Sequence, residues 1–203
     1  NVLLIAADDM RPQLGCYGDS TVKSPHLDSL SLRGMVFERS YVQQALCSPS
    51  RISMLSGRYP ATTGIFDFSR PLRATMPDIT TLPQHFAAHG YFTASFGKIF
   101  HDGSIPQDQR AREFDVWGPA PGMPRPARKF VETPDPNPLV DWGVFPERDA
   151  EQADAQIADA AIAQLASAPA DRPLFLAVGF RLPHVPNYAS AKWFDRLPET
   201  SVR

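Results

Sequence analysis

The sequence predicts an α/β fold, an open and mainly parallel sheet covered by helices on both faces. Three observations carry that expectation. Short apolar runs stop abruptly at ionisable residues, as strands buried in parallel sheets do. Helix-periodic segments with capping signals alternate with those runs. A hydrophobic share of 43% with 21% charged residues is that of a globular chain, and 203 residues suffice for one domain with a sizeable core.

The elements follow in chain order. Val2 to Ala7 is a continuous apolar stretch ending in Asp8-Asp9, read as a strand buried on both faces. Asn1 leads straight into it without an initiator Met or a basic leader, so any targeting segment is expected to have been removed. Ser24-Pro25 is a cap followed by proline, Leu27, Leu30 and Ser31 keep helical spacing, and Gly34 is a terminator. Met35 to Val42 reads as a strand. A second capped helix begins at Thr80-Thr81-Leu82-Pro83 and stops at Gly90, and Tyr91 to Phe96 forms a β-branched and aromatic strand ending at Gly97-Lys98.

From about 102 to 146 the periodicity fails, and prolines recur at 106, 119, 121, 124, 126, 134, 136, 138 and 146. Proline removes backbone donors and fixes the chain, so this segment is expected to be an irregular excursion over the surface. Glu147 to Ala166 then reads as a helix, acidic at its start, with Ala153, Ile157, Ala161 and Leu165 on one stripe. Leu174 to Phe180 is a buried strand, and His184 lies just past its end. In open parallel sheets ligands bind beyond the carboxyl ends of the strands. Asp8 and Asp9, Lys98 and His101, and His184 occupy three such ends.

Charge disfavours one class of function. Twenty Lys and Arg against 22 Asp and Glu leave a net charge of -2, without the broad basic field that non-specific nucleic-acid binding uses. No apolar run reaches the roughly 20 residues of a membrane-spanning helix. Two cysteines, Cys16 and Cys47, are too few for a disulfide framework. His26, His85 and His89 read as surface residues: the last two stand four apart on a helix but lack a third ligand.

Asp8-Asp9 presents two carboxylates that suit a hard divalent cation, or else merely opens a solvated loop. In Cys47-Ser48-Pro49-Ser50-Arg51, Ser48 is a candidate cap and Pro49 a helix start, with Gly57 near the end. Cys47 would then stand at the positive helix end, one turn from Arg51. Taken alone, Cys47 is either a low-pKa thiolate nucleophile or a buried small hydrophobe.

The run C-S-P-S-R followed by L-S-G-R resembles the signature of type I sulfatases, where the cysteine of C-x-P-x-R is converted to formylglycine. Ser56-Gly57 replaces the family's usual Thr-Gly. The opening N-V-L-L-I-A-A-D-D-M-R-P is similar to that family's metal-binding first strand, and Gly97-Lys98-Ile99-Phe100-His101 to its G-K-x-H element with one extra residue. With L-G-C-Y-G-D at 14 to 19 and R-L-P-H-V-P at 181 to 186, the chain is similar to the iduronate-2-sulfatase branch.

The resemblance implies an alkaline-phosphatase-like fold and hydrolysis of sulfate esters, on a uronic-acid-containing or other sulfated polysaccharide. It implies Ca²⁺, with Mg²⁺ the lesser alternative, held by Asp8, Asp9 and residue 47, and formylglycine made from Cys47 by a formylglycine-generating enzyme. Arg51 would steady the aldehyde hydrate, Lys98 would contact it or the sulfate, His101 would return residue 47 to its aldehyde, and His184 would protonate the leaving oxygen. A periplasmic, secreted or lysosomal setting is implied too. Ile65, Phe66 and Asp67 are expected near the substrate cleft, and Trp117 and Trp142 either shape specificity or cover the sheet.

The family carries a further Asp followed by His or Asn, and a second Lys, well beyond the last motif here. Asp195 is too close to His184 to supply them. Residues 1–203 are therefore expected to be the N-terminal part of the catalytic domain, inactive alone and partnered by the C-terminal portion of the same enzyme. Two alternatives stand beside this reading: a phosphonate or phosphate-ester hydrolase of the same superfamily, and a non-catalytic sulfated-glycan-binding homologue with unmodified Cys47.

Overall fold

The computed structural model describes residues 1–101, 103–134 and 137–197. The strands are β1 (Val2–Asp8), β2 (Phe92–Gly97), β3 (Val116–Trp117), β4 (Trp142–Val144), β5 (Leu174–Pro183) and β6 (Asn187–Ala189). The helices are α1 (Pro25–Ser31), α2 (Cys47–Ser56), α3 (Pro60–Thr63), α4 (Leu72–Thr75), α5 (Leu82–Ala88), α6 (Ala153–Ser167) and α7 (Ala191–Asp195). Among the described residues, a four-stranded sheet runs β1-β5-β2-β3 and a two-stranded one pairs β4 with β6, with every pairing parallel.

The expected α/β architecture is present, and β5 is its axis. Its side chains alternate between faces with the two-residue period of a strand. Phe175 and Ala177 join a core with Ile52 and Leu55 of α2, Leu72 of α4 and Phe114. Leu174, Leu176 and Val178 point the other way, against Ile157 and Ala161 of α6. Phe86 of α5 stacks on Phe175 at 4.3 Å. Thr81 N–H donates to Gln84 Oε1 at 3.0 Å at the start of α5, half of a capping box.

Several expectations need correction. β1 is not buried on both faces: it is an edge strand paired with β5 alone, and Leu3 and Ile5 are 52% and 57% exposed. Val2 and Leu4 pack on the first core, whereas α6 packs against β5 and β2 and leaves the second face of β1 uncovered. Met35 to Val42 is not a strand in this structure. Its Met35, Phe37, Tyr41 and Val42 are exposed, and among the described residues no strand pairs with it.

The long helix begins at Ala153 rather than Glu147, after a short 3-10 turn at Asp149–Glu151, and Leu165 on its stripe is exposed. Ile65, expected at a cleft, is fully buried in the first core, while Phe66 and Asp67 are exposed. Strand β5 continues past Phe180 to Pro183.

The proline-rich excursion is largely irregular, although it contributes the short strands β3 and β4. Its expected first residue, 102, and its proline at 136 lie outside the described residues, as do residues 198–203. Side-chain bonds pin it down. Asp141 accepts the N–H groups of Phe130 and Val131 at 3.0 and 2.9 Å and the Tyr188 hydroxyl. Burial, followed by that bond to Asp141, pushes the Tyr188 pKa up to about 12.

One polar cluster is a stability determinant. Glu113, 1% exposed, accepts from Arg73 Nε at 2.6 Å and from Thr81 Oγ1 at 2.6 Å, joining α4, the start of α5 and the excursion. Removing one partner of a buried pair leaves the other charge uncompensated. Glu113→Ala is expected to cost about 3–5 kcal/mol. Urea denaturation checks this, and a loss below about 1 kcal/mol would show the pair to be solvated.

Candidate active site

The site forms where three segments end. β1 delivers Asp8, α2 begins at Cys47, and β5 runs out at Pro183 just before His184. Because β1 and β5 are adjacent and parallel, their carboxyl ends lie together although about 175 residues separate them. Ligand atoms of Asp8, Cys47 and His184 all lie within 4.8 Å of one another.

The local sequence explains each placement. α2 has Leu46 in the capping position and Cys47 as its first residue, two residues earlier than Ser48 and Pro49 suggest. Gly57 closes it in the left-handed region, φ 64°, where glycine lacks the steric penalty of other residues. At the sheet, Gly97 pairs with Gly179. A Cβ on Gly97 would collide with the Gly179 carbonyl, and one on Gly179 with the Lys98 carbonyl. Two glycines thus let the end of β2 lie tight against β5, and Lys98 N–H donates to Gly179 O at 2.8 Å.

Asp8 is 5% exposed and carries two ion pairs, Arg51 Nη2 to Oδ1 at 2.8 Å and Lys98 Nζ to Oδ2. Burial pushes its carboxyl pKa up, but the bonds from Lys98 and Arg51 outweigh that and hold it below the ordinary carboxylate value. Arg51 also donates to the carbonyls of Lys98 and Ile99, the latter at 3.1 Å, tying α2 to the turn after β2. Cys47 Sγ stands 4.0 Å from Asp8 Oδ2. Burial, the first cause, pushes the thiol pKa up. Burial thus works against the low-pKa thiolate that a helix start alone suggests.

His184 contacts the Val185 carbonyl through Nδ1 at 2.7 Å. With Nδ1 as donor in that contact, Nε2 is the atom that exchanges protons. The strand end bearing His184 is held by Asp154 of α6, which accepts the N–H groups of Arg181 and Leu182 at 2.7 and 2.9 Å. Sequence reasoning missed Asp154, and the acidic first turn of α6 was its signal. His101 lies three residues past Lys98, its ring 4.6 Å from that of Phe68, and lines a neighbouring cavity. Asp9 is exposed at φ 60° beside Asp8, outside the convergent trio.

As a metal centre the trio is mixed. Asp8 offers the hard oxygen that Ca²⁺ or Mg²⁺ prefers, whereas a thiol and an imidazole suit softer ions. Oxygen in place of sulfur at residue 47 would make it, with Asp8 and the adjacent Asp9, a donor set fit for a hard cation.

The sulfatase family model matches residues 1–200. The chain belongs to the sulfatase family. It is 37% identical over 213 residues to the iduronate 2-sulfatase of Homo sapiens, an alignment covering 97% of this chain and 37% of that protein. It is 32% identical to a sulfatase of Formosa agariphila, covering 100% of this chain and 43% of the relative. This sulfatase chain thus spans well under half the length of these curated relatives. Among solved structures, the phosphonate monoester hydrolase of Agrobacterium radiobacter shares the fold with a TM-score of 0.71 at 22% identity, covering 97% of this chain and 43% of that one. The architecture is that of the alkaline-phosphatase-like α/β proteins, with a mainly parallel sheet flanked by helices.

Proposed function

We propose that this chain is the N-terminal part of a sulfatase catalytic domain that hydrolyses sulfate esters on a uronic-acid-containing polysaccharide. The observation that carries the proposal is the convergence of Asp8, Cys47 and His184 within 4.8 Å, with Arg51 and Lys98 buried against Asp8. The 37% identity to an iduronate 2-sulfatase supports the substrate class.

Hydrolysis of a sulfate ester needs an oxygen nucleophile at sulfur, cations for the sulfate oxygens and an acid for the departing alcohol. Residue 47, as formylglycine made by a formylglycine-generating enzyme, supplies the nucleophilic oxygen. Asp8, Asp9 and residue 47 would hold a divalent cation, Ca²⁺ before Mg²⁺, which would favour deprotonation and offset sulfate charge. Arg51 fixes the first turn of α2 and so the direction of residue 47. Lys98 is a point charge placed to meet a sulfate oxygen. His184 gives a proton from Nε2 to the leaving oxygen, and His101 accepts one at residue 47 as sulfate departs.

A C-terminal portion of the same enzyme supplies further metal ligands and completes the sheet beside β1, whose outer face exposes Leu3 and Ile5. Without it, residues 1–203 are inactive. The family supports a secreted, periplasmic or lysosomal setting, and no helix among the described residues is long and apolar enough to cross a membrane.

The test pairs two measurements on the full-length enzyme. Intact mass should be about 18 Da below that of the unmodified polypeptide, the difference between thiol and aldehyde. A chromogenic aryl sulfate should be cleaved faster than the matching phosphonate ester. An unmodified Cys47 together with no sulfate ester turnover would sink the proposal.

A further inference from the structure

The turn Gly97–His101 borders more than the Asp8 site. It also walls a cavity of about 300 Å³, lined by Phe100, His101, Arg110, Trp117, Gly118 and neighbouring backbone, at the carboxyl ends of β2 and β3. That volume is at the small end of ligand sites. Its frame is fixed: Gly118 N–H donates to Ser95 O at 2.8 Å and Gly97 N–H to Pro119 O at 3.0 Å.

Arg110 is the cation in this cavity. Its guanidinium lies over the Trp117 ring at 5.0 Å, and Trp117 stacks with Phe100 at 5.9 Å. The plane of the guanidinium is thereby set before any ligand arrives. Among the described residues no carboxylate pairs with Arg110, and its buried Nε has no hydrogen-bond partner. Buried donors in native proteins are satisfied by protein, water or an ion, and the described residues supply Nε no acceptor of their own. A planar fork of N–H donors matches an anionic oxygen pair.

We infer that this cavity is a substrate subsite in which Arg110 holds an anionic substituent, a carboxylate or a second sulfate, on a sugar residue of the substrate. The inference rests on the sulfatase reading of the Asp8 site. His101 belongs to both: it lines the cavity and sits three residues from Lys98, so a sugar anchored by Arg110 is fixed in register with the reacting ester. Arg110 is a specificity residue, remote from the reacting atoms.

The test uses the full-length enzyme and three oligosaccharides: a sulfated uronate, the same molecule with its carboxyl reduced to an alcohol, and a disulfated form of the reduced molecule. For Arg110→Ala, the kcat/KM preference for an anionic over the neutral oligosaccharide should fall about 10- to 100-fold, chiefly through KM. A fall confined to the uronate identifies a carboxylate, and one confined to the disulfated form a second sulfate. Ala120→Glu, which places a carboxylate on the cavity wall, should act in the same direction and serves if Arg110→Ala does not fold. Preferences equal to wild type in both variants would overturn the subsite while leaving the sulfatase reading intact. A wild-type enzyme that cleaves no sulfate ester would overturn both.

Discussion

Replacing Asp8 with alanine in the full-length enzyme is expected to abolish sulfate ester turnover and to destabilise the fold together. Asp8 is the sole carboxylate in contact with Arg51 and Lys98 among the described residues, and all three are buried. Its removal strands two positive charges away from water, a situation that costs about 3–5 kcal/mol. It also takes away the hard oxygen donor of the proposed metal site. Asp8→Asn separates the two effects, because an amide keeps the shape and one acceptor oxygen but loses the charge. It should retain more stability than Asp8→Ala and remain inactive. Chemical denaturation and an aryl sulfate assay read these independently, and turnover near wild type in either variant would remove Asp8 from the chemistry.

Cys47→Ala is expected to lower kcat by at least about 10³-fold with little change in stability, since losing a nucleophile costs turnover on that scale. Cys47 is only partly buried, and the one polar contact of its side chain among the described residues, to Asp8 at 4.0 Å, is too long to support much of the fold. The informative companion is Cys47→Ser. If the oxygen nucleophile arises by conversion of a thiol, a plain hydroxyl at the same place is a poor substitute, and Cys47→Ser should remain well below wild type. Full activity in the serine variant would show that an ordinary side-chain hydroxyl suffices.

These expectations draw on features unequally visible in the sequence. The start of α5 was legible because Thr81, Pro83 and Gln84 are local signals that need nothing distant, and Gly57 marked the end of α2 for the same reason. The buried middle strand was legible because β5 is covered by a core on each side, so its apolar run is unbroken. β1 carries an equally apolar run, yet the helix that covers one face of β5 does not reach it, and no periodicity encodes that difference.

Met35 to Val42 failed for a related reason. Strand propensity is realised only against a partner, and no described strand pairs with that segment. Asp8, Lys98 and His184 could each be placed at a strand end, but their order across the sheet could not. The meeting of Asp8 with His184 follows from β5 inserting between β1 and β2, a long-range choice. Arg110 left no sequence signal at all, because its significance lies in having an aromatic ring beneath it and, among the described residues, no acid paired with it.

The grip of Arg51 on the carbonyls of Lys98 and Ile99 has a dynamic consequence. Local opening in proteins occurs in contiguous cooperative units, and a side chain that bridges two such units merges them. Helix α2 and the turn after β2 are therefore one unit, backed by Ile52, Leu55 and Ile99 in the same core. Fluctuations that draw α2 out of the fold must break into that core. A factor that needs this segment extended therefore meets it more readily before the core has closed than after.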